Sequence, residues 1–145
     1  MVNGAGWHEV EHSAVSLDLT DAVDGGPDME QFSSGVVLVN IWASYCAPCV
    51  RELPMLQAVS ESGRLAVVGI SRDVRASAAE GRLRRAGVAY PNWLDPEATF
   101  NIQLDTLVPL NSVPSSVLIE DGKVVAVHVG AFKDKSDVLG ALEFV

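Results

Sequence analysis

Apolar residues along this chain switch between two periods. Val36-Val37-Leu38-Val39-Asn40-Ile41-Trp42 is an almost unbroken β-branched and apolar run, the pattern of a central strand buried on both faces. Leu65 to Ile70 repeats it. Val117 to Glu120 and Val124 to Val129 flank Asp121-Gly122, and such a turn dipeptide between apolar runs predicts a hairpin. Val15 to Leu19 alternates as a short half-exposed strand, and Asn92-Trp93-Leu94 reads as another.

Helical spacing takes over between these runs. Residues 46–62 place Leu53, Leu56 and Val59 on one side and leave Arg51, Glu52 and Glu61 for solvent. Pro54 lies inside that segment and predicts a kink, because an interior proline removes a hydrogen bond and crowds the preceding turn. Val74 to Ala86 forms a second helix, stopped by Gly87, with Arg82, Arg84 and Arg85 at its end. Asp28 is placed to cap a short helix through Phe32, Pro96 opens one to about Leu104, and Asp134 to Phe144 closes as the last. Strand–helix–strand–helix followed by hairpin–helix predicts an α/β fold, a central mixed β-sheet flanked by helices on both faces. Residues 1–14 read as a loose lead-in and 15–145 as a single domain.

Composition bounds the function classes. The chain has 145 residues, 48% apolar and 20% charged, enough to bury a core without disulfide staples. Net charge is −9, and the first 50 residues hold seven acids and no Lys or Arg. That excess disfavours nucleic acid or an anionic membrane surface as a partner. No run reaches the roughly 18 apolar residues of a bilayer span, and Met1 to Gly6 lacks the basic start of a signal peptide. The expectation is either a cytoplasmic protein or an extracytoplasmic one whose leader or tether is absent from this chain.

The only cysteines stand in Cys46-Ala47-Pro48-Cys49, where the Val36–Trp42 strand gives way to a helix. A helix N-terminus concentrates unpaired N–H groups and positive dipole, so a thiol there ionises more readily. Thiolates attack disulfides, and a second thiol three residues on can resolve the mixed disulfide. Cys-x-x-Cys beside a β-α-β pattern therefore points to thiol–disulfide exchange.

Trp42-Ala43-Ser44-Tyr45-Cys46-Ala47-Pro48-Cys49, with Glu52-Leu53-Pro54 behind it, resembles the thioredoxin superfamily, and within it the TlpA/ResA branch of extracytoplasmic thiol–disulfide reductases. Val113-Pro114-Ser115-Ser116-Val117 followed by Asp121-Gly122-Lys123 resembles the family's cis-proline loop and hairpin. The likeness covers residues 35–144. It implies a thioredoxin-like fold, Cys46 as attacking thiolate and Cys49 as buried resolving thiol. It also implies substrate contacts from Trp42, Tyr45, Ala47, Pro48, Val113 and Pro114, and proton transfer by Asp73. Trp42 is expected to be mostly core, with one face near the site. Asn40 stands where thioredoxin has a buried aspartate, which removes one proton acceptor for Cys49.

Other readings compete. A disulfide oxidase or isomerase of the same fold is the nearest. A copper metallochaperone would use the cysteines with His128, which otherwise reads as a surface or edge residue. His8 and His12 would share a face of a helix and could complete a zinc set with the cysteines. Asp73 also fits a plain N-cap ahead of Val74. Ala43 occupies the position where a peroxiredoxin needs a hydroxyl residue, which sets that class aside. The resulting expectation is a monomeric protein-disulfide reductase without metal or organic cofactor, for which the resemblance implies a role in cytochrome c maturation in bacteria. Its partners would be disulfide-bearing proteins and an upstream thiol reductant.

Overall fold

The computed structural model, which describes residues 1–145, builds one sheet from β1 (His8–Ala14), β2 (Val36–Trp42), β3 (Ala66–Ser71), β4 (Asn92–Leu94), β5 (Ser115–Glu120) and β6 (Lys123–Val129). The spatial order is β1-β6-β5-β2-β3-β4. β2, β3 and β4 run parallel, while β5, β6 and β1 join antiparallel. The helices are α1 (Ala47–Glu61), α2 (Ala76–Ala86), α3 (Thr99–Gln103) and α4 (Lys135–Leu139), with single 3-10 turns at Met29–Phe32, Asp105–Leu107 and Gly140–Phe144.

Strand alternation decides which helix meets which face. Val37, Val39 and Ile41 of β2 join Ile70, Met29 and Phe100 in one apolar cluster. Leu38 points the other way, to Leu56 and Val59 of α1 and Val138 of α4. Trp42 packs with Cys49 and Leu53 of α1 and Ala79 and Leu83 of α2. The sheet is therefore mixed and covered on both faces, the thioredoxin-like α/β arrangement.

Several boundaries differ from the sequence reading. Residues 8–14, read as lead-in, form β1 on the edge of the sheet, paired with β6. The segment is almost wholly exposed, so it carries no burial period to detect. Val15 to Leu19 pairs with no strand, although Leu17 is buried. α1 runs through Pro54 as one helix. α2 starts at Ala76, leaving Val74 in the preceding turn at 82% exposed. The helix expected from Pro96 begins at Thr99. There the buried Asp95 carboxylate accepts the Thr99 and Phe100 N–H groups, both at 2.9 Å, meeting donors that a helix start leaves unpaired.

Candidate active site

β2 and β3 end side by side, Trp42 opposite Ser71, and β5 begins opposite Ile41. The turns after β2 and β3 and the loop before β5 therefore meet at one end of the sheet. Cys46 is the N-cap of α1, and its sulfur accepts the Cys49 N–H at 3.3 Å. The two cysteines are joined as a disulfide. Cys49 is completely buried against Trp42, Leu53 and Leu83, whereas Cys46 is half-buried. No acidic residue lies in the first turn of α1 to offset its positive end.

The substrate-contact residues inferred from the resemblance separate into two groups. Tyr45, Ala47 and Pro48 are exposed around Cys46. The Val113 carbonyl oxygen lies 3.8 Å from the Cys46 sulfur, and the Val113–Pro114 peptide is cis. Pro114 is buried beneath that carbonyl. Trp42 has no exposed surface. Its indole N–H donates to Asn92 Oδ1 at 2.9 Å, so it supports the site from below instead of presenting a face to a substrate.

Asp73 is buried, and it is not the cap of α2, which starts after Arg75. Its carboxylate accepts the Ser44 N–H at 3.0 Å and the Ser44 and Ser71 hydroxyls, each at 2.6 Å. Arg82 donates to the Ser44 carbonyl at 3.2 Å. The turn leading into Tyr45 and Cys46 is thereby tied to the β3–α2 connection and to α2 itself through every polar group of Ser44. The hydrogen bonds of Asp73 go to serines and not to a cysteine.

The carboxylate beside the pair is Glu52, which the sequence reading assigned to solvent. It is 2% exposed, one turn after Cys49 on α1. Oε1 accepts from Asn40 Nδ2 and Oε2 from the Phe132 N–H, both at 3.0 Å. Burial outweighs those two bonds and pushes its pKa up to about 7. A cleft of about 310 Å³ beside the cysteine turn is lined by Pro48, Arg51, Glu52, Met55, Phe132 and Lys133. A signal was present in the sequence. Positions 49, 52, 53, 56 and 59 form one helical stripe, and all five are buried.

The histidines do not gather at the thiols. His8 and His12 lie on β1, a strand and not a helix, with β6 and β5 between them and β2. His128, expected at the surface, is 6% exposed. Its ring packs on Phe132 and Trp7, and its two nitrogens face the Ala5 and Gly130 carbonyls at 3.1 and 3.2 Å. Burial lowers its pKa.

A family model described as Redoxin matches residues 14–142. The chain belongs to the Redoxin family. It is similar to the thiol-disulfide oxidoreductase ResA of Halalkalibacterium halodurans, 23% identical over 127 residues that cover 84% of this chain and 69% of that protein. It is also similar to a thiol:disulfide interchange protein DsbE homolog of Paracoccus denitrificans, 34% identical over 66% of this chain and 51% of that one. Among solved structures, a DsbF homologue from Corynebacterium diphtheriae matches with a TM-score of 0.82 at 24% identity, covering 98% of this chain and 94% of that one. A secreted thiol-disulfide isomerase from Corynebacterium glutamicum matches at 0.81 and 23% identity, covering 96% and 90%. This Redoxin-family chain is thus a TlpA/ResA-like member of the thioredoxin superfamily, a thiol–disulfide oxidoreductase carrying a Cys-x-x-Cys pair.

Proposed function

We propose that the protein reduces disulfides in partner proteins, with Cys46 as nucleophile and Cys49 as resolving thiol. The observation that carries this is their asymmetry. Cys46 sits half-exposed at the helix start with an N–H aimed at its sulfur, while Cys49 is buried one turn inside. In the first step the Cys46 thiolate attacks one substrate sulfur, forming a mixed disulfide and releasing the other substrate sulfur as a thiolate. Cys49 then loses its proton and attacks the Cys46 sulfur. The second substrate thiol leaves, and the Cys46–Cys49 disulfide remains. Two electrons pass to the substrate, and an upstream dithiol restores the pair.

Glu52 is the acceptor for the Cys49 proton in this reading. A carboxyl group with a pKa of about 7 holds and releases a proton near neutrality, and it stands one helical turn from Cys49. It takes the place of the acceptor that Asn40 cannot supply, and Asn40 instead orients it. Asp73, placed for proton transfer by the resemblance, acts here as the anchor of the cysteine turn. Tyr45, Ala47, Pro48 and the Val113 carbonyl border the incoming segment, whose backbone would align against Val113 as an added strand does.

The direction follows from how strongly the thiolate is favoured. Stabilising it makes the pair more oxidising. Here the help comes from the helix start and one N–H, since Ala47 and Pro48 offer no polar side chain and residues 36–50 contain no Lys, Arg or His. That is moderate help, which favours reductase over oxidase or isomerase. The resemblance extends this to an extracytoplasmic, monomeric reductase serving cytochrome c maturation. The secreted Corynebacterium glutamicum neighbour supports that setting, and no helix is long and apolar enough to cross a membrane. Mixing reduced protein with a disulfide-bonded protein should yield two substrate thiols per protein oxidised. Faster reaction of the oxidised protein with a dithiol substrate would reverse the assignment.

A further inference from the structure

Ahead of the first strand, Trp7 has no exposed surface, and a local turn sets it there. Asn3 Oδ1 accepts the Ala5 and Trp7 N–H groups at 3.1 and 3.0 Å, and Asn3 Nδ2 donates to the Gly140 carbonyl at 3.0 Å. The Trp7 indole N–H donates to the Asp137 carbonyl of α4 at 2.9 Å. Within this turn the backbone passes close to His128. A Cβ on Gly6 would lie 3.1 Å from the His128 Nε2, and Gly6 has a φ of +86°, a conformation that glycine adopts without steric cost.

His128 stands between that turn and the connection from β6 to α4. Its Nε2 faces the Ala5 carbonyl at 3.1 Å and its Nδ1 the Gly130 carbonyl at 3.2 Å. A neutral imidazole donates to one of them and an imidazolium to both. Phe132 completes the stack, its ring centroid 4.3 Å from that of His128 and 5.8 Å from that of Trp7. The connection enclosed in this way points two N–H groups at the active site. Gly130 donates to the Pro114 carbonyl at 2.9 Å, and Phe132 donates to Glu52 Oε2 at 3.0 Å. The Phe132 bond is one of the two that Glu52 accepts, and it favours the ionised carboxylate against the effect of burial.

We infer that the turn of residues 3–7 and His128 are positioning elements for Glu52: they hold the β6–α4 connection so that the Phe132 N–H meets the carboxylate. This rests on the reading of Glu52 as acceptor of the Cys49 proton. Loosening the turn or the ring lets the Phe132 N–H move away, and ionised Glu52 loses a donor in a site almost closed to water. Its pKa then rises above about 7, and less carboxylate is present near neutrality to take the Cys49 proton. Other ionisable groups surround the two residues. Arg51 and Lys133 line the cleft with Glu52, buried Tyr90 lies within reach of its charge, and the Asp137 carboxylate of α4 acts on His128.

The test is a carbon-13 NMR titration of the Glu52 carboxyl in the reduced protein, its signal assigned by loss in Glu52→Gln. His128→Phe keeps an aromatic ring against Trp7 and Phe132 and removes both nitrogens. Asn3→Ala undoes the turn from a half-buried position, and it carries the test should His128→Phe fail to fold. Each should raise the Glu52 midpoint by about half to one pH unit, part of what a lost hydrogen bond to a charged group is worth. The pH profile of mixed-disulfide resolution should move to higher pH by the same amount. Gln103→Ala, which frees Ser16 from α3, should leave the midpoint in place, as should any change that only lowers the unfolding temperature. An unchanged midpoint in folded His128→Phe or in Asn3→Ala, or an equal shift in Gln103→Ala, would overturn the positioning. A midpoint that moves while resolution keeps its parental pH profile would uphold the positioning and remove Glu52 as the acceptor of the Cys49 proton.

Discussion

Glu52 on α1 accepts a hydrogen bond from Asn40 on β2 at 3.0 Å, in a site almost closed to water. The pair joins the helix that begins at Cys46 to the central strand that ends at Trp42. Its energetics are pH-dependent. Burial raises the Glu52 pKa from 4.5 to about 7, so the folded protein holds this proton more tightly than the unfolded chain does. The stabilisation is complete below about pH 4.5 and is lost as pH rises through about 7. Between pH 4 and 8, the unmodified protein should lose roughly 3 kcal/mol of unfolding free energy relative to Glu52→Gln. Denaturant unfolding across that range measures it. Parallel pH profiles for the two proteins would show that Glu52 is not a neutral acid when buried.

The same substitution reaches the chemistry. Glu52→Gln should slow resolution of the Cys46 mixed disulfide by about a hundredfold near neutral pH, the lower end for loss of a general base. Its attack step should change much less. Stopped-flow fluorescence with a disulfide peptide separates the two steps, and an unchanged resolution rate would remove Glu52 from proton transfer.

In the reduced protein, iodoacetamide should modify Cys46 before Cys49 by roughly tenfold or more, because Cys49 is fully buried and Cys46 is the helix cap. Peptide mass mapping after partial labelling reads the order. Preferential labelling of Cys49 would invert the roles.

Gly69 of β3 tests the support beneath the site. A Cβ there would overlap Asn92 Oδ1, the acceptor of the Trp42 indole N–H. Asn92 cannot swing away without leaving that buried donor unpaired. Gly69→Ala should therefore destabilise the protein by about 1–3 kcal/mol and shift Trp42 fluorescence. A variant as stable as the parent would mean that Asn92 has room to move.

The anchoring of Ser44 gives a further expectation. Asp73→Ala removes the acceptor of two hydrogen bonds from Ser44 in the cysteine turn and one from Ser71 at the end of β3 and should cost about 2–4 kcal/mol, since it strands an N–H and two hydroxyls away from bulk water. Thermal unfolding checks this. A loss below about 0.5 kcal/mol, the scale of a surface change, would contradict the anchor.

What the sequence revealed follows from where burial is two-sided. β2, β3 and the β5–β6 hairpin are continuous apolar runs, so their existence and order were legible, as was the cysteine pair at the start of α1. β1 was hidden because its residues face water and only its pairing with β6 defines it. His128 was misread because Trp7 and the Ala5 carbonyl, more than 120 positions earlier, cover it. Glu52 was misread from its charge, although its spacing from Cys49, Leu53 and Leu56 placed it on the buried stripe. Residues whose surroundings come from distant segments are the ones a local pattern leaves unresolved.

The central claim is that Cys46 and Cys49 deliver electrons to substrates. The reduction potential of this pair, obtained by equilibrating the protein against a graded glutathione series, tests it most directly. With the helix start and one N–H as the direct aids to the Cys46 thiolate, the potential should lie nearer about −270 mV than about −120 mV. A value above roughly −180 mV, in the range of the isomerases and oxidants, would contradict the reductase assignment.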